Sequence, residues 1–213
     1  LMLEVTEIYK SVQGESTYMG LPCVFIRLTG CNLRCVWCDT AHAFHDGEKL
    51  SILQIIDKVK SYDIKLVEIT GGEPLLQKEV FPLMESLLKN KFKVMLETSG
   101  SLAINNVPAK VIKIIDLKCP GSGEENKNLW ENLNHLTPTD EIKFVIADKA
   151  DYEWSKKVLQ DYELDKKVPV LFSPVFEKLK LKDLTEWILE DNLPVRLHTQ
   201  LHKYIWDQKT IGV

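Results

Sequence analysis

Strand-like and helix-like segments alternate along most of this chain of 213 residues. Apolar runs typical of strands lie at residues 23–28, 65–69, 93–97, 111–116, 141–146, 168–172 and 194–198. Helical patterns lie at residues 76–89, 127–133, 151–161 and 182–191, and another begins at Ser51, where Gln54 completes a capping box. This alternation predicts parallel βαβ units in an α/β fold. About six units are too few for a closed eight-unit barrel of ~250 residues, so we expect one domain over residues 1–213, an incomplete barrel open on one side.

The chemically unusual residues of the chain mostly come just after these strands. Those positions lie at the carboxyl edge of a parallel sheet, where α/β enzymes build their sites. We therefore expect the functional site at that edge.

Charge and hydropathy argue against two classes of partner. The net charge is −4 and no dense Lys/Arg tract occurs, so we expect no nucleic acid. No apolar run approaches the ~20 residues of a membrane span, and the first residues lack a signal-peptide pattern, so we expect no membrane and a cytoplasmic location. In the reducing cytoplasm, the five cysteines of the chain are not expected to form a disulfide framework. Three of them lie within eight residues, which indicates a metal site.

The three clustered cysteines, Cys31, Cys35 and Cys38, have the spacing C-x3-C-x2-C. Thiolates are soft ligands suited to iron–sulfur clusters and zinc. Three thiolates bind three irons of a 4Fe–4S cluster and leave the fourth open to a small ligand, unlike an electron carrier with four cysteine ligands. The alternative is a structural zinc site, which His42 and His45 could complete.

Two further marks make the chain resemble the radical S-adenosylmethionine (SAM) superfamily. Trp37 directly precedes the last clustered cysteine, and the loop Gly71-Gly72-Glu73-Pro74 follows a strand. The resemblance implies a radical SAM core, a (β/α)6-type partial TIM barrel. It also implies a 4Fe–4S cluster whose fourth iron is chelated by SAM. In the GGEP loop, glycines let a ligand approach the backbone and a carboxylate can receive an ammonium group.

A narrower resemblance, to the 7-carboxy-7-deazaguanine synthase family, covers nearly the whole chain. It lies in residues 9–15 (YKSVQGE), 25–30 (FIRLTG), 39–40 (DT), 97–100 (ETSG), 116–123 (DLKCPGSG) and 200–206 (QLHKYIW). The family implies a ring contraction of 6-carboxy-5,6,7,8-tetrahydropterin to 7-carboxy-7-deazaguanine, with loss of ammonia, on the route to queuosine.

The resemblance also implies roles for individual residues. The implied substrate-binding residues are Val12, Gln13, Gly14, Arg27, Thr70 and Val213. The implied catalytic residues are Glu15 and His202. The implied cofactor-binding residues are Trp37, Asp39, Gly72, Glu73, Asp116, Lys118 and Ser173. The implied metal ligands are Cys31, Cys35 and Cys38 for the cluster and Thr40 for Mg²⁺. Asp116 departs from family members that carry Ser at this position.

Chemistry supports several of these roles and leaves alternatives open. Gln13 and Glu15 suit the polar ring edge of the pterin, and Arg27 suits its carboxylate. Arg27 could instead form a surface salt bridge, Glu15 and His202 could have hydrogen-bonded structural roles, and Thr40 could cap a turn. The family further implies a homodimer, a flavodoxin-type electron donor and recognition of the pterin by the terminal carboxylate of Val213.

Three rival functions remain on sequence grounds. A glycyl-radical-enzyme activating enzyme shares the cysteine motif but acts on a large protein. Another radical SAM enzyme could take a different small substrate. The third rival is a zinc-stabilised binding module without catalysis.

Overall fold

The structure, a computed structural model, describes residues 1–207 and 210–212. Its described strands are β1 (Met2–Val12), β2 (Pro22–Leu28), β3 (Glu48–Ser51), β4 (Leu66–Gly71), β5 (Lys93–Thr98), β6 (Ile112–Leu117), β7 (Glu141–Ile146), β8 (Val170–Pro174) and β9 (Arg196–Leu197). They form one sheet in the order β3-β1-β2-β4-β5-β6-β7-β8-β9. From β2 to β9 every neighbouring pair is parallel, which confirms the predicted incomplete parallel barrel.

Four described helices pack against the large apolar cluster on the outer face of this sheet, namely α1 (Ile52–Lys60), α2 (Val80–Lys89), α3 (Lys149–Asp161) and α4 (Leu181–Glu190). The single turn α5 (His202–Ile205) follows β9. The predicted capping box at Ser51 is present, with the hydroxyl accepting from the backbone N–H of Gln54 and the Gln54 side chain returning to the Ser51 backbone. No helix among the described residues is long and apolar enough to cross a membrane.

The antiparallel part of the sheet was not predicted. β1 pairs antiparallel with β2 on one side and with β3 on the other, so a three-stranded ribbon extends the barrel wall. The hairpin loop between β1 and β2 reaches across to β7, where Thr17 donates its backbone N–H to the Glu141 carboxylate at 3.0 Å. The connection between β1 and β2 is therefore anchored at the first residue of β7.

One predicted helix is missing: the helix predicted at 127–133 is replaced by the short 3-10 helices Glu125–Lys127 and Trp130–His135. Residues 99–111, all of them described, join β5 to β6 without a helix. The buried Asn132 amide satisfies the loop backbone instead, since it accepts from Ile104 N at 3.1 Å and donates to Gly100 O and Leu102 O. One side-chain amide thus replaces the hydrogen bonds of a helical turn.

Side chains alternate between the two faces of each strand, and this alternation separates two apolar clusters. On β2, Val24, Ile26 and Leu28 face the large cluster that packs against the helices. Cys23 and Phe25 face the barrel interior, in a smaller cluster whose other members are Leu66, Met95, Ile112 and Ile114. This smaller cluster fills the barrel toward the amino ends of the strands, so open space remains at their carboxyl ends.

Candidate functional site

A cavity of about 660 Å³ lies at the carboxyl ends of the parallel strands. It is the place where the sequence predicted a site. The predicted residues that line it are Val12, Gln13, Gly14, Glu15, Arg27, Cys31, Cys35, Trp37, Cys38, Asp39, Thr40, Thr70, Gly72, Asp116, Lys118 and His202. Residues far apart in the chain are therefore gathered around one space.

The cysteine loop follows β2 and enters the cavity wall. Cys31 and Cys35 are half-buried and Cys38 is exposed. Gly72 packs against this loop so closely that a Cβ there would lie 2.3 Å from Gly30 O and 2.6 Å from the Cβ of Cys31. The cysteine loop and the GGEP loop are therefore in direct backbone contact, which requires glycine at position 72.

The donor chemistry of this loop fits an iron–sulfur cluster. Three soft thiols line one face of a cavity that has room for a ligand beside them. Within residues 1–207 and 210–212, no three His, Cys, Asp or Glu side chains are grouped as ligands of a single metal ion.

Charged groups at the end of β6 form the next part of the wall. Lys118 Nζ lies 3.0 Å from Asp116 Oδ2. Burial opposes the charge on Lys118, but the neighbouring Asp116 carboxylate raises the pKa of the ammonium above its ordinary value. The other oxygen of Asp116, Oδ1, is buried and has no hydrogen-bond partner among the described residues. It is an acceptor available to a ligand hydroxyl or N–H.

The Glu73 side chain is not among the residues that line the cavity, so the cofactor contact implied for it stays a prediction. The side chain is fully buried. Its two oxygens accept from the backbone N–H groups of Leu75 and Ser99 and from the hydroxyls of Thr98 and Ser99, at 2.6–3.0 Å. The carboxylate fixes the GGEP loop to the end of β5.

Of the two remaining predicted residues, one does not line the cavity and the other lies outside the described part of the chain. Ser173 is buried within β8 and is not among the lining residues. Val213 lies outside the described residues. The roles implied for both stay predictions.

Arg27 at the end of β2 is oriented by two residues of β1. Its Nε donates to Glu7 Oε1 at 2.7 Å and its Nη2 donates to the Tyr9 hydroxyl at 3.0 Å. The ion pair therefore lies in the cavity wall rather than on the outer surface. Other N–H groups of the guanidinium are left to meet an anionic ligand.

Gln13, in the loop after β1, lines the cavity and is buried. Its side-chain nitrogen donates to Glu68 Oε2 at 2.7 Å, and its oxygen accepts from the backbone N–H of Glu15 at 3.1 Å. Burial, then the nearby Glu97 carboxylate, raises the pKa of Glu68 well above its ordinary value. The Gln13 amide is thus fixed in one orientation by a buried carboxyl group.

Lys143, in the middle of β7, binds three carboxylates of the cavity. Its ammonium contacts Glu15 at 2.6 Å, Asp116 at 3.6 Å and, at closer range, Glu97. Burial opposes ionisation of Glu15, but the Lys143 charge lowers the pKa of that carboxyl well below its ordinary value. Burial raises the pKa of Glu97 despite the same lysine. Of Glu15 and Glu97, Glu15 is the one that the network favours in its ionised form.

The C-terminal residues close one side of the cavity. Gln200 Nε2 donates to Glu15 Oε1 at 2.8 Å, and Lys203 Nζ lies 2.6 Å from Asp39 Oδ2. The His202 ring lies so close to Gly14 that a Cβ on this glycine would be 2.1 Å from Nδ1. Burial lowers the pKa of His202, which favours a neutral ring that both donates and accepts a hydrogen bond.

Sequence reasoning did not identify several polar residues of the wall as site residues. Among them are Glu7, Tyr9, Glu68, Glu97 and Lys143. Two of them carried a usable signal, since Glu68 and Lys143 are charged residues in the middle of apolar strands. Parallel strands covered on both faces read as continuous apolar runs, so an ionisable residue in one indicates a polar interior.

Comparisons with known proteins agree with the geometry. The Radical SAM superfamily model matches residues 25–163. The 7-carboxy-7-deazaguanine synthase of Koribacter versatilis is 50% identical, with 99% of this chain and 100% of that protein covered. That of Chlorobaculum tepidum is 42% identical, with 99% and 97% covered. The crystal structure of QueE from Escherichia coli superposes with a TM-score of 0.78 at 25% identity, covering 94% of this chain and 95% of that one.

Proposed function

The chain belongs to the 7-carboxy-7-deazaguanine synthase family of the radical SAM superfamily, and from this premise we propose that it converts 6-carboxy-5,6,7,8-tetrahydropterin to 7-carboxy-7-deazaguanine. The reaction contracts a ring and releases ammonia, and the product enters the route to queuosine and related deazapurines. The observation that carries the proposal is one cavity that combines three cluster-type thiols with an arginine, a glutamine and buried carboxylates.

The cluster half of the cavity is assigned to the cysteine loop. Cys31, Cys35 and Cys38 would hold a 4Fe–4S cluster, as the family implies. When bound, the cluster and SAM supply the carbon radical that breaks an unactivated C–H bond. Gly72 lets the GGEP loop approach the cysteine loop closely. The protein itself contributes ligands, close backbone packing and a wall that limits water access.

The remaining cofactor contacts are assigned to residues around the cysteine loop and β6. Trp37 and Asp39 line the cavity beside the clustered thiols. At the end of β6, the unpaired oxygen of Asp116 would accept a hydrogen bond from SAM, while Lys118 balances the other oxygen. This arrangement accommodates the aspartate that stands where some family members carry serine.

The substrate half is assigned to the loop after β1 and to the ends of β2 and β4. Arg27 would bind the carboxylate of the pterin, because Glu7 and Tyr9 fix the guanidinium without using all of its N–H groups. Val12, Gly14 and Thr70 would contact the ring. Glu15 would accept from ring N–H groups, and the neutral His202 beside Gly14 would hold or move a proton near the ring.

A Mg²⁺ ion is proposed at Thr40. The hydroxyl lines the cavity and does not cap the 3-10 helix Ala41–Phe44 that follows it. Mg²⁺ takes oxygen ligands and keeps several waters, so one hydroxyl together with the substrate carboxylate is a sensible set. The terminal carboxylate of Val213 is proposed to bind the guanidine-like edge of the pterin.

Partners and setting follow from the family rather than from contacts. We propose a homodimer, a flavodoxin-type electron donor and a cytoplasmic location, where thiols and an iron–sulfur cluster are kept reduced. The 213 residues would act as one catalytic domain, because all nine described strands share a single sheet.

The test is reconstitution with iron and sulfide under anaerobic conditions, followed by assay with SAM, a reductant and the carboxypterin. Formation of 7-carboxy-7-deazaguanine with ammonia and brown, iron-containing protein is the expected result. A colourless zinc protein would favour the binding module. A reconstituted cluster that cleaves SAM but leaves the carboxypterin unchanged would favour a different radical SAM activity.

A further inference from the structure

Lys143 is the most deeply buried charge in the cavity wall that no assigned role uses. It lies in the middle of β7 and is 3% exposed. On the same face of the neighbouring strands below it are apolar side chains of the inner cluster. A lysine in such surroundings is retained only where its ammonium is fully paired.

The partners of this ammonium come from three separate elements. Glu15 lies in the loop after β1, Glu97 in β5 and Asp116 at the end of β6. Asp116 also has Lys118 at 3.0 Å. Among the described residues, Glu15 and Glu97 have no ion pair other than the one with Lys143. Loss of this one charge would therefore affect Glu15 and Glu97 more than Asp116.

The two oxygens of Glu15 are fixed from different sides. Lys143 holds Oε2 at 2.6 Å and the Gln200 amide holds Oε1 at 2.8 Å. Each carboxylate oxygen has a second lone-pair direction, which stays available to a ligand. The plane of the carboxylate is set before any substrate arrives, which is the condition for binding without a reorganisation cost.

We propose that Lys143 is a positioning residue for the pterin, which acts by holding Glu15 ionised and correctly oriented toward the N–H donors of the ring. The inference rests on the proposed function, since it requires that Glu15 contacts the pterin. It assigns recognition of the ring to a charge that does not itself touch the substrate. A change at Lys143 should affect the contact with the pterin ring more than the contact with SAM, because Asp116 also pairs with Lys118.

The rival explanation is that Lys143 only stabilises the fold. The chain offers a matched control in Lys113, which is equally buried and pairs with Asp140 at 2.9 Å. Lys113 is not among the residues that line the cavity. Removing its charge costs a comparable buried ion pair and leaves the site untouched.

The experiment measures the Kd of carboxypterin and the Kd of SAM on reconstituted enzyme without reductant, so that no turnover occurs. The variants are Lys143→Met, Glu15→Gln, the double variant and Lys113→Met. Without Lys143, the charge-assisted contact between Glu15 and the pterin should weaken. The carboxypterin Kd of Lys143→Met should therefore rise roughly 10- to 100-fold. The SAM Kd should change less than about twofold, and Lys113→Met should change neither Kd.

The double variant decides whether Lys143 acts through Glu15. If it does, Lys143→Met adds little to the loss already caused by Glu15→Gln. Losses that multiply, an unchanged carboxypterin Kd in Lys143→Met, or equal loss of both ligands would each overturn the inference. If Lys143→Met does not fold, the same comparison is made in a Glu97→Gln background, which removes one of the carboxylates left unpaired. Wild-type enzyme that binds SAM but not carboxypterin would overturn the proposed function itself.

Discussion

Replacing Glu73 with alanine removes a carboxylate on which the GGEP loop depends. Four donors reach its oxygens, namely the backbone N–H groups of Leu75 and Ser99 and the hydroxyls of Thr98 and Ser99. All of them are buried with the carboxylate, so water cannot replace it without opening the loop.

The size of the effect follows from the number of donors. At roughly 1 kcal/mol for each buried donor that loses its acceptor, the free energy of unfolding should fall by about 4 kcal/mol. For a chain of this length that corresponds to a drop in Tm of roughly 8 to 16 °C. Glu73→Gln keeps one acceptor oxygen and should lose about half as much.

Urea denaturation of the apo-protein gives the free energy, and Kd values for SAM and carboxypterin at a temperature where the variant is folded give the ligand effect. Because the Glu73 carboxylate does not line the cavity, we expect both affinities to fall by similar factors. A variant of near wild-type stability that loses SAM affinity more than tenfold, with carboxypterin affinity intact, would refute this reasoning and restore Glu73 as a ligand contact.

Four further predictions concern the metals, the C-terminus and pH. Alanine at any of the three motif cysteines should remove most bound iron and all turnover, whereas Cys119→Ala should keep the iron, as measured by iron analysis. Turnover should rise with Mg²⁺, and Thr40→Val should abolish that response; a response that survives the change contradicts the proposed site. A tag appended after Val213 should sharply weaken carboxypterin binding, whereas the same tag at the N-terminus should not, and equal binding by both proteins would leave the tail without a role. Burial, and after it the neighbouring Glu97 carboxylate, raises the pKa of Glu68 in the folded protein. In the unfolded chain the same carboxyl ionises above about pH 4.3, so the free energy of unfolding should fall as the pH rises above that value. Glu68→Gln, which still accepts from Gln13, should therefore be more stable than wild type at pH 7 and gain nothing at pH 3 in urea melts.

Local patterns were sufficient to predict most of the barrel. The parallel strands were predicted because each is a largely apolar run of five or six residues between turn signals. The helix α1 was predicted because its capping box is a purely local feature. β1 was missed for a physical reason. Only Leu3 and Val5 in its first half are fully buried, while its second half is half-exposed beside the cavity, so no clear alternation is visible.

The candidate site divides in the same way. The cysteine and GGEP loops are contiguous motifs, and both contribute to the cavity. The Lys143 network joins residues that are far apart in the chain, since Glu15 lies 128 positions and Glu97 lies 46 positions from Lys143. No spacing rule relates these residues. The GGEP motif identifies a loop but not the direction in which the Glu73 side chain points. That direction depends on Thr98 and Ser99, which only the fold brings near.

The polar interior of the barrel is hard to explain by stability alone. A buried ion pair recovers little more than the cost of removing both charges from water, and apolar residues of similar volume often stabilise a fold as well or better. Lys143 meets more carboxylates than it can neutralise, so its network carries a cost that apolar packing would avoid. Directly below it the inner cluster is apolar, which shows that this barrel can be filled in the ordinary way. The excess of carboxylates therefore indicates where the apolar packing of the barrel interior ends and the binding site begins. A ring bearing several N–H donors is the kind of ligand that would complete it.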